Sequence, residues 1–124
     1  MLPDALHADL PDRIAAHARG MLQAGEVLRA AAPAKVGRPR MPYALLPATC
    51  YLALTDRRLI GFLATPVKAL PGRVWFERPV SEVRPASRPR QIEVLMDDGR
   101  KKTMHLSPTH REAADSLLEA VAGR

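Results

Sequence analysis

The chain reads as a mainly antiparallel β protein, with about seven short strands set between an N-terminal and a C-terminal helix. Three observations carry that expectation. Apolar residues recur at helical spacing near both ends of the sequence. Between them the period shortens to runs bounded by Pro, Gly or Asp, and Ile92, Val94 and Met96 alternate with Gln91, Glu93 and Leu95 as on a half-buried strand. Asp98-Gly99 and Thr55-Asp56-Arg57 separate neighbouring runs in the manner of tight turns.

Taken in order, Leu10, Ile14, Ala18, Met21 and Leu22 fall on one helical stripe, with Pro11 suited to a first turn and Asp12 favourable against the helix dipole. The spacing predicts a helix from Pro11 to Gln23, ending near Gly25. The strands follow as "EVLRAAA", "ATCYLALT", "RLIGFLAT", "RVWFERP", "RQIEVLMD" and "KKTMHLS", and "PVSEVRP" adds a short strand or turn. Residues 33–42 are expected to form one long loop. At the other end Ser107 reads as an N-cap and Pro108 as the first helical residue, and Ala113, Leu117 and Val121 with Ala114 and Leu118 make a single apolar stripe. A helix from Pro108 to Ala122 is expected to cover an open end of the sheet's core. The division is a helical extension over 1–25 and the β domain over 26–124.

The 124 residues, 47% hydrophobic and 26% charged, have the make-up of one soluble globular domain. No window approaches the ~20 apolar residues of a membrane span, and an N-terminus carrying Asp4, Asp9 and Asp12 is unlike a secretory signal, so a cytoplasmic protein is expected. The single Cys50 lies in an apolar run and reads as a small core residue. The net charge of +6 is concentrated in the middle: residues 26–42 carry +3, 43–70 carry +2 and 71–90 carry +3. Such a field attracts anionic partners without choosing among them. The abundance of Arg, Ala and Pro is also what GC-rich codons yield.

"LALTDRRLIGF", Leu52 to Phe62, holds the turn Thr55-Asp56-Arg57-Arg58-Leu59. Pro79-Val80-Ser81-Glu82-Val83 follows about twenty residues later, and Asp97-Asp98-Gly99-Arg100 precedes the closing helix. In this order the motifs resemble the bacterial pleckstrin-homology-like and GRAM-like families over roughly Glu26 to Ala122. The resemblance implies an antiparallel barrel closed by the C-terminal helix. It also implies a binding or assembly module with no catalytic residues and no ligand common to all members. The N-terminal helix lies outside the family pattern, and its stripe, represented by Leu10, Ile14 and Met21, has no obvious partner within such a barrel. The stripe either packs on the outside of its own sheet or pairs with another copy or a larger partner, and in the second case these three residues are candidates for an assembly helix.

Residue chemistry points away from catalysis. The histidines at 7, 17, 105 and 110 lack metal-site spacing, and no nucleophile elbow, phosphate loop or zinc-protease motif occurs. His17 reads as boundary packing, His105 as an outward-facing strand residue and Asp97-Asp98 as a turn. No enzyme activity, cofactor or metal is expected. Two basic constellations remain. In "AKVGRPRMPY", Lys35, Arg38 and Arg40 read as a solvated loop, an anionic lipid or polyanion contact, or a DNA arm. The last is weak, because Val36 stands where an AT-hook places arginine before its glycine. The second comprises Arg73, Arg78, Arg84, Arg88 and Arg90, interleaved with prolines; beside them Trp75 and Phe76 point to opposite faces of one strand. Trp75 either packs on the C-terminal helix or rests at a protein or membrane interface. The expected function is a non-catalytic module that binds a partner protein or its own copies. Anionic membrane lipid is the alternative and nucleic acid the third.

Overall fold

Leu10, Ile14 and Ala18 are spaced four residues apart, one above another on a helix, and all three are buried. In the computed structural model, which describes residues 10–65 and 71–123, they belong to helix α1 (Leu10–Arg19). The early Asp4, His7 and Asp9 lie outside the described residues. α1 ends sooner than the stripe suggests. Gly20 and Met21 donate their N–H groups back to the carbonyls of His17 and Ala18, and the Met21 carbonyl is held by Arg58 Nη2 at 3.0 Å. Those bonds turn the chain away from the helix axis.

Seven strands follow: β1 (Leu28–Val36), β2 (Ala48–Thr55), β3 (Arg58–Ala64), β4 (Pro71–Pro79), β5 (Val83–Pro85), β6 (Gln91–Leu95) and β7 (Lys101–Leu106). A 3₁₀ turn, Val80–Glu82, leads into β5, and helix α2 (Arg111–Ala122) ends the fold. All pairings are antiparallel, in the order β4-β3-β2-β1-β7-β6-β5. The architecture is therefore mainly β with two helices, as expected, but the sheet does not close into a barrel. β4 and β5 are its edges. Pro79 ends the first and Pro85 the second, and proline cannot donate to a further ladder. Across the gap Arg78 Nε donates to the Leu95 carbonyl at 2.7 Å, so a side chain spans what backbone pairing does not.

β1 carries the run Ala30, Ala31, Ala32 because both of its faces are covered. Ala30, Ala32 and Ala34 join Leu52, Leu54, Leu59, Phe76, Ile92, Val94, Met104 and Leu106 in a core capped by Ala114, Leu117 and Val121 of α2. Ala31 points the other way, with Tyr51, Ala53, Ile60 and Phe62, against Leu10, Ile14 and Ala18 of α1. Of the two berths expected for the α1 stripe, the outside of its own sheet and another chain, the stripe occupies the first. Leu10 and Ile14 are buried and Met21 packs at the margin. Gly61 lies opposite Phe76, and a Cβ there would come within 2.1 Å of the Phe76 ring, so glycine lets that ring lie close on β3.

Two other expectations change. Pro33 to Val36 do not belong to a loop but complete β1, with Ala34, Lys35 and Val36 pairing both β2 and β7. Pro33 is tolerated in this central strand because it stands where β7 pairing begins, its carbonyl taken by the Ser107 N–H at 3.1 Å. That bond holds Ser107, just past the end of β7, against β1. Ser107 consequently does not cap α2, which starts three residues later than Pro108 with His110 at the N-cap position.

The Thr55-Asp56-Arg57-Arg58 turn ties the exit of α1 to the sheet. Asp56 exchanges two bonds with Val27, both at 3.0 Å, and Arg57 reaches Gln23 Oε1 and the Ala24 carbonyl. Glu26, Thr55 and Arg58 form a buried network beneath it. Among the described residues no helix is long and apolar enough to cross a membrane.

Candidate functional site

Gly37 to Pro47 join β1 to β2, with a 3₁₀ turn over Tyr43–Leu45. Within this loop the N–H groups of Met41, Leu45 and Leu46 donate to the carbonyls of Arg38, Pro42 and Tyr43, and the loop is also held from the sheet beneath it. His105 of β7 and Gln91 of β6 are register partners, and both are buried, with 5% and 7% of their surface exposed. His105 was expected to face outward. It does project from the face opposite Met104 and Leu106, but the loop folds over that face and covers it. His105 Nε2 lies 3.0 Å from the Arg38 carbonyl and 3.3 Å from that of Gly37. Gln91 Nε2 donates to the Pro39 carbonyl at 2.8 Å and lies 3.3 Å from His105 Nδ1. Carbonyl oxygens only accept, so Nε2 carries the ring proton and Nδ1 accepts.

With three successive carbonyls pinned inward, the side chains of Arg38 and Arg40 are directed to solvent, where both are exposed. They meet Arg88, from the turn between β5 and β6. Together with Pro39, Met41, Pro42 and Ser87, these three arginines line an open cleft of about 730 Å³. The turn that supplies Arg88 is itself constrained. Arg90 has φ 58°, in the left-handed region that glycine or asparagine usually fills, and its carbonyl accepts from the Leu106 N–H at 2.8 Å. The loop and the turn are thereby anchored to the same two strands.

The two constellations read from the sequence are redistributed. Arg38, Arg40 and Arg88 come together. Lys35 stands in β1, and its Nζ lies 4.7 Å from the centre of the Tyr43 ring, so its charge is applied to the loop's own aromatic. The 35–40 segment is not a free arm. Arg78 is held by Leu95, Arg84 of β5 is paired in register with Glu93, and Arg73 is exposed on β4. Arg90 adjoins the cleft without lining it. Trp75 is 37% exposed on β4 and meets Phe76 edge-on at 5.1 Å, while Phe76 is in the core.

Sequence reasoning missed His105 and Gln91, because alternation assigns them a face but does not reveal what covers it. The remaining reactive groups are structural. Cys50 is buried beside Met104, and burial pushes its thiol up to about 12. His17 meets the Phe62 ring edge-on at 4.9 Å. Among the described residues no three His, Cys, Asp or Glu side chains gather as a metal ion would require. No protein-family model matches the chain, and no curated protein matches it.

Proposed function

We infer that this chain is a non-catalytic binding module of the pleckstrin-homology-like type, and that the cleft takes an acidic segment of a partner protein. The observation that carries the reading is the convergence of Arg38, Arg40 and Arg88, brought from separate parts of the chain onto a floor of Pro39, Met41 and Pro42. Arginine's planar fork suits carboxylates, and the apolar floor suits the aliphatic side chains between them. Rigidity adds to the case, since a loop already held by His105 and Gln91 loses little freedom on binding. The unreactive setting of Cys50 and the engagement of both His105 nitrogens favour binding over catalysis. For the family type, the support is the motif order read above together with seven antiparallel strands followed by a helix.

A second reading, contact with anionic membrane, is favoured by Leu45, which is 69% exposed in the same loop as Arg38 and Arg40. One pair of measurements separates the two. A fluorescein-labelled peptide alternating Glu and Leu should bind, and replacing Arg38, Arg40 and Arg88 by Ala should weaken it by about tenfold or more, since hydrogen bonds to charged groups contribute roughly 1.5–3 kcal/mol each. Vesicles with and without phosphatidylserine should sediment alike. Binding to acidic vesicles alone, lost on Leu45→Asp, would transfer the function to the membrane, and binding to neither would remove the reading.

A further inference from the structure

Three successive carbonyls of the arginine loop, those of Gly37, Arg38 and Pro39, depend on one buried pair, His105 and Gln91. The Nε2–H bonds to the Gly37 and Arg38 carbonyls persist in either protonation state of the ring, whereas the Gln91 anchor on Pro39 works for one. With Nδ1 bare, the Gln91 amide can donate to both Nδ1 and the Pro39 carbonyl. We propose that His105 is a pH-sensitive latch on the cleft: with the neutral imidazole Gln91 ties the loop down at Pro39, and protonation at Nδ1 releases that anchor, leaving the loop held at Gly37 and Arg38 alone. The consequence for ligand binding rests on the reading of the cleft given above; the latch itself does not.

The geometry gives the reason. A proton on Nδ1 would confront the Gln91 NH₂, donor against donor. Gln91 Oε1, buried and without a hydrogen-bond partner, is the acceptor at hand. Turning the amide to present it removes the donor from the Pro39 carbonyl and sets oxygen against oxygen there. The imidazolium and the Pro39 anchor are therefore alternatives. Charge acts in the same direction. Lys35 of β1 pairs with His105, Arg38 and Arg40 are on the loop, and Arg88 and Arg90 are on the turn entering β6. The carboxylate on that face of β6, Glu93, stands two pairs along, opposite Thr103 of β7 and Arg84 of β5. A second ring proton adds positive charge where the packed segments already carry it, so repulsion assists the release.

The test is a pH titration followed by NMR. The His105 ring signals are observed together with hydrogen exchange of the Gly37 and Met41 amides, which bond to the Thr103 and Arg38 carbonyls at 3.3 and 3.1 Å. The Gly37 protection factor should fall by about tenfold with the same midpoint as the ring. His105→Gln, which keeps a donor but does not titrate, should abolish that step. Gln91→Glu offers Nδ1–H a carboxylate and should move the step to higher pH, an effect that packing alone would not produce. Protection unchanged through the ring titration, a ring that stays neutral until the whole chain unfolds, or a midpoint unmoved by Gln91→Glu would each overturn the latch. In a parallel arm the labelled Glu-Leu peptide should lose affinity at the same midpoint. A peptide that fails to bind even near pH 8 defeats the cleft as a binding site, and the exchange data then decide the latch alone.

Discussion

Glu26 keeps a carboxylate with 0% of its side chain exposed because four donors reach it. Arg58 contributes two in a fork, Nε to Oε2 and Nη2 to Oε1, both at 2.9 Å. The Thr55 hydroxyl donates at 2.7 Å and the Gln23 N–H at 2.9 Å. The Arg58 bonds foremost, outweighing the opposing effect of burial, lower the Glu26 carboxyl from 4.5 to about 2. Because the folded value lies below the unfolded one, the contribution is complete above about pH 4.5 and is lost as pH falls through about 2. It amounts to on the order of 3 kcal/mol at neutral pH. Urea midpoints measured down this acid range should fall steeply for the natural chain. Glu26→Gln should begin lower, by roughly 2–3 kcal/mol at pH 7, and show a flatter acid limb. Parallel limbs for the two proteins would mean that another carboxylate governs acid stability. Arg58 also bonds Glu77 at 2.8 Å, so its charge is fully engaged in the fold, whereas Arg38, Arg40 and Arg88 present theirs to solvent.

At the scale of elements, α2 and α1 lie on opposite faces of one sheet, each in its own core. Leu117 is buried in the larger core, so Leu117→Asp would put an unpaired charge among Leu52, Val94 and Met104. A cost of several kcal/mol, roughly 4 or more, should leave the chain largely unfolded by circular dichroism at 25 °C; an unchanged melting curve would remove α2 from the core. Both helices were legible as stripes, and β2 matches its sequence run from Ala48 to Thr55, because alternation and bounding turn residues are local signals. Boundaries set by distant bonds were not legible. The Pro33 carbonyl holds Ser107 against β1 and delays α2, and Arg58 draws Met21 out of α1. The candidate site divides in the same way. The arginines stand out in the sequence, but the meeting of Arg38 and Arg40 with Arg88 depends on β6 and β7 running beside β1, and His105 gains its role only from the loop above it.

For the molecule as a whole, the decisive feature is that two cores share β1, β2 and β3. α1 joins Tyr51, Ile60 and Phe62 in one core on one face of these strands, and α2 joins Leu52, Leu54 and Leu59 in the other core on the opposite face. Neither core can lose its helix without weakening the strands that support the other, so a single cooperative transition is expected. Ile14 and Leu117 are both fully buried, on opposite sides of the sheet, and each truncation to Ala should cost about 2–4 kcal/mol. Since they share no partner, the double variant should lose close to the sum, with one urea transition throughout and a nearly constant slope. Deleting residues 1–24 should lower the melting temperature as well, because it strips the cover from Phe62 and its neighbours. Light scattering gives an independent check: with Leu10 and Ile14 already buried inside the chain, the full-length protein should have the molar mass of a monomer. A biphasic curve, with helical signal lost before the tryptophan environment changes, would show instead that α1 is a detachable clamp. An Ile14→Ala chain that keeps its midpoint while a dimer falls apart would return the stripe to the role of assembly helix.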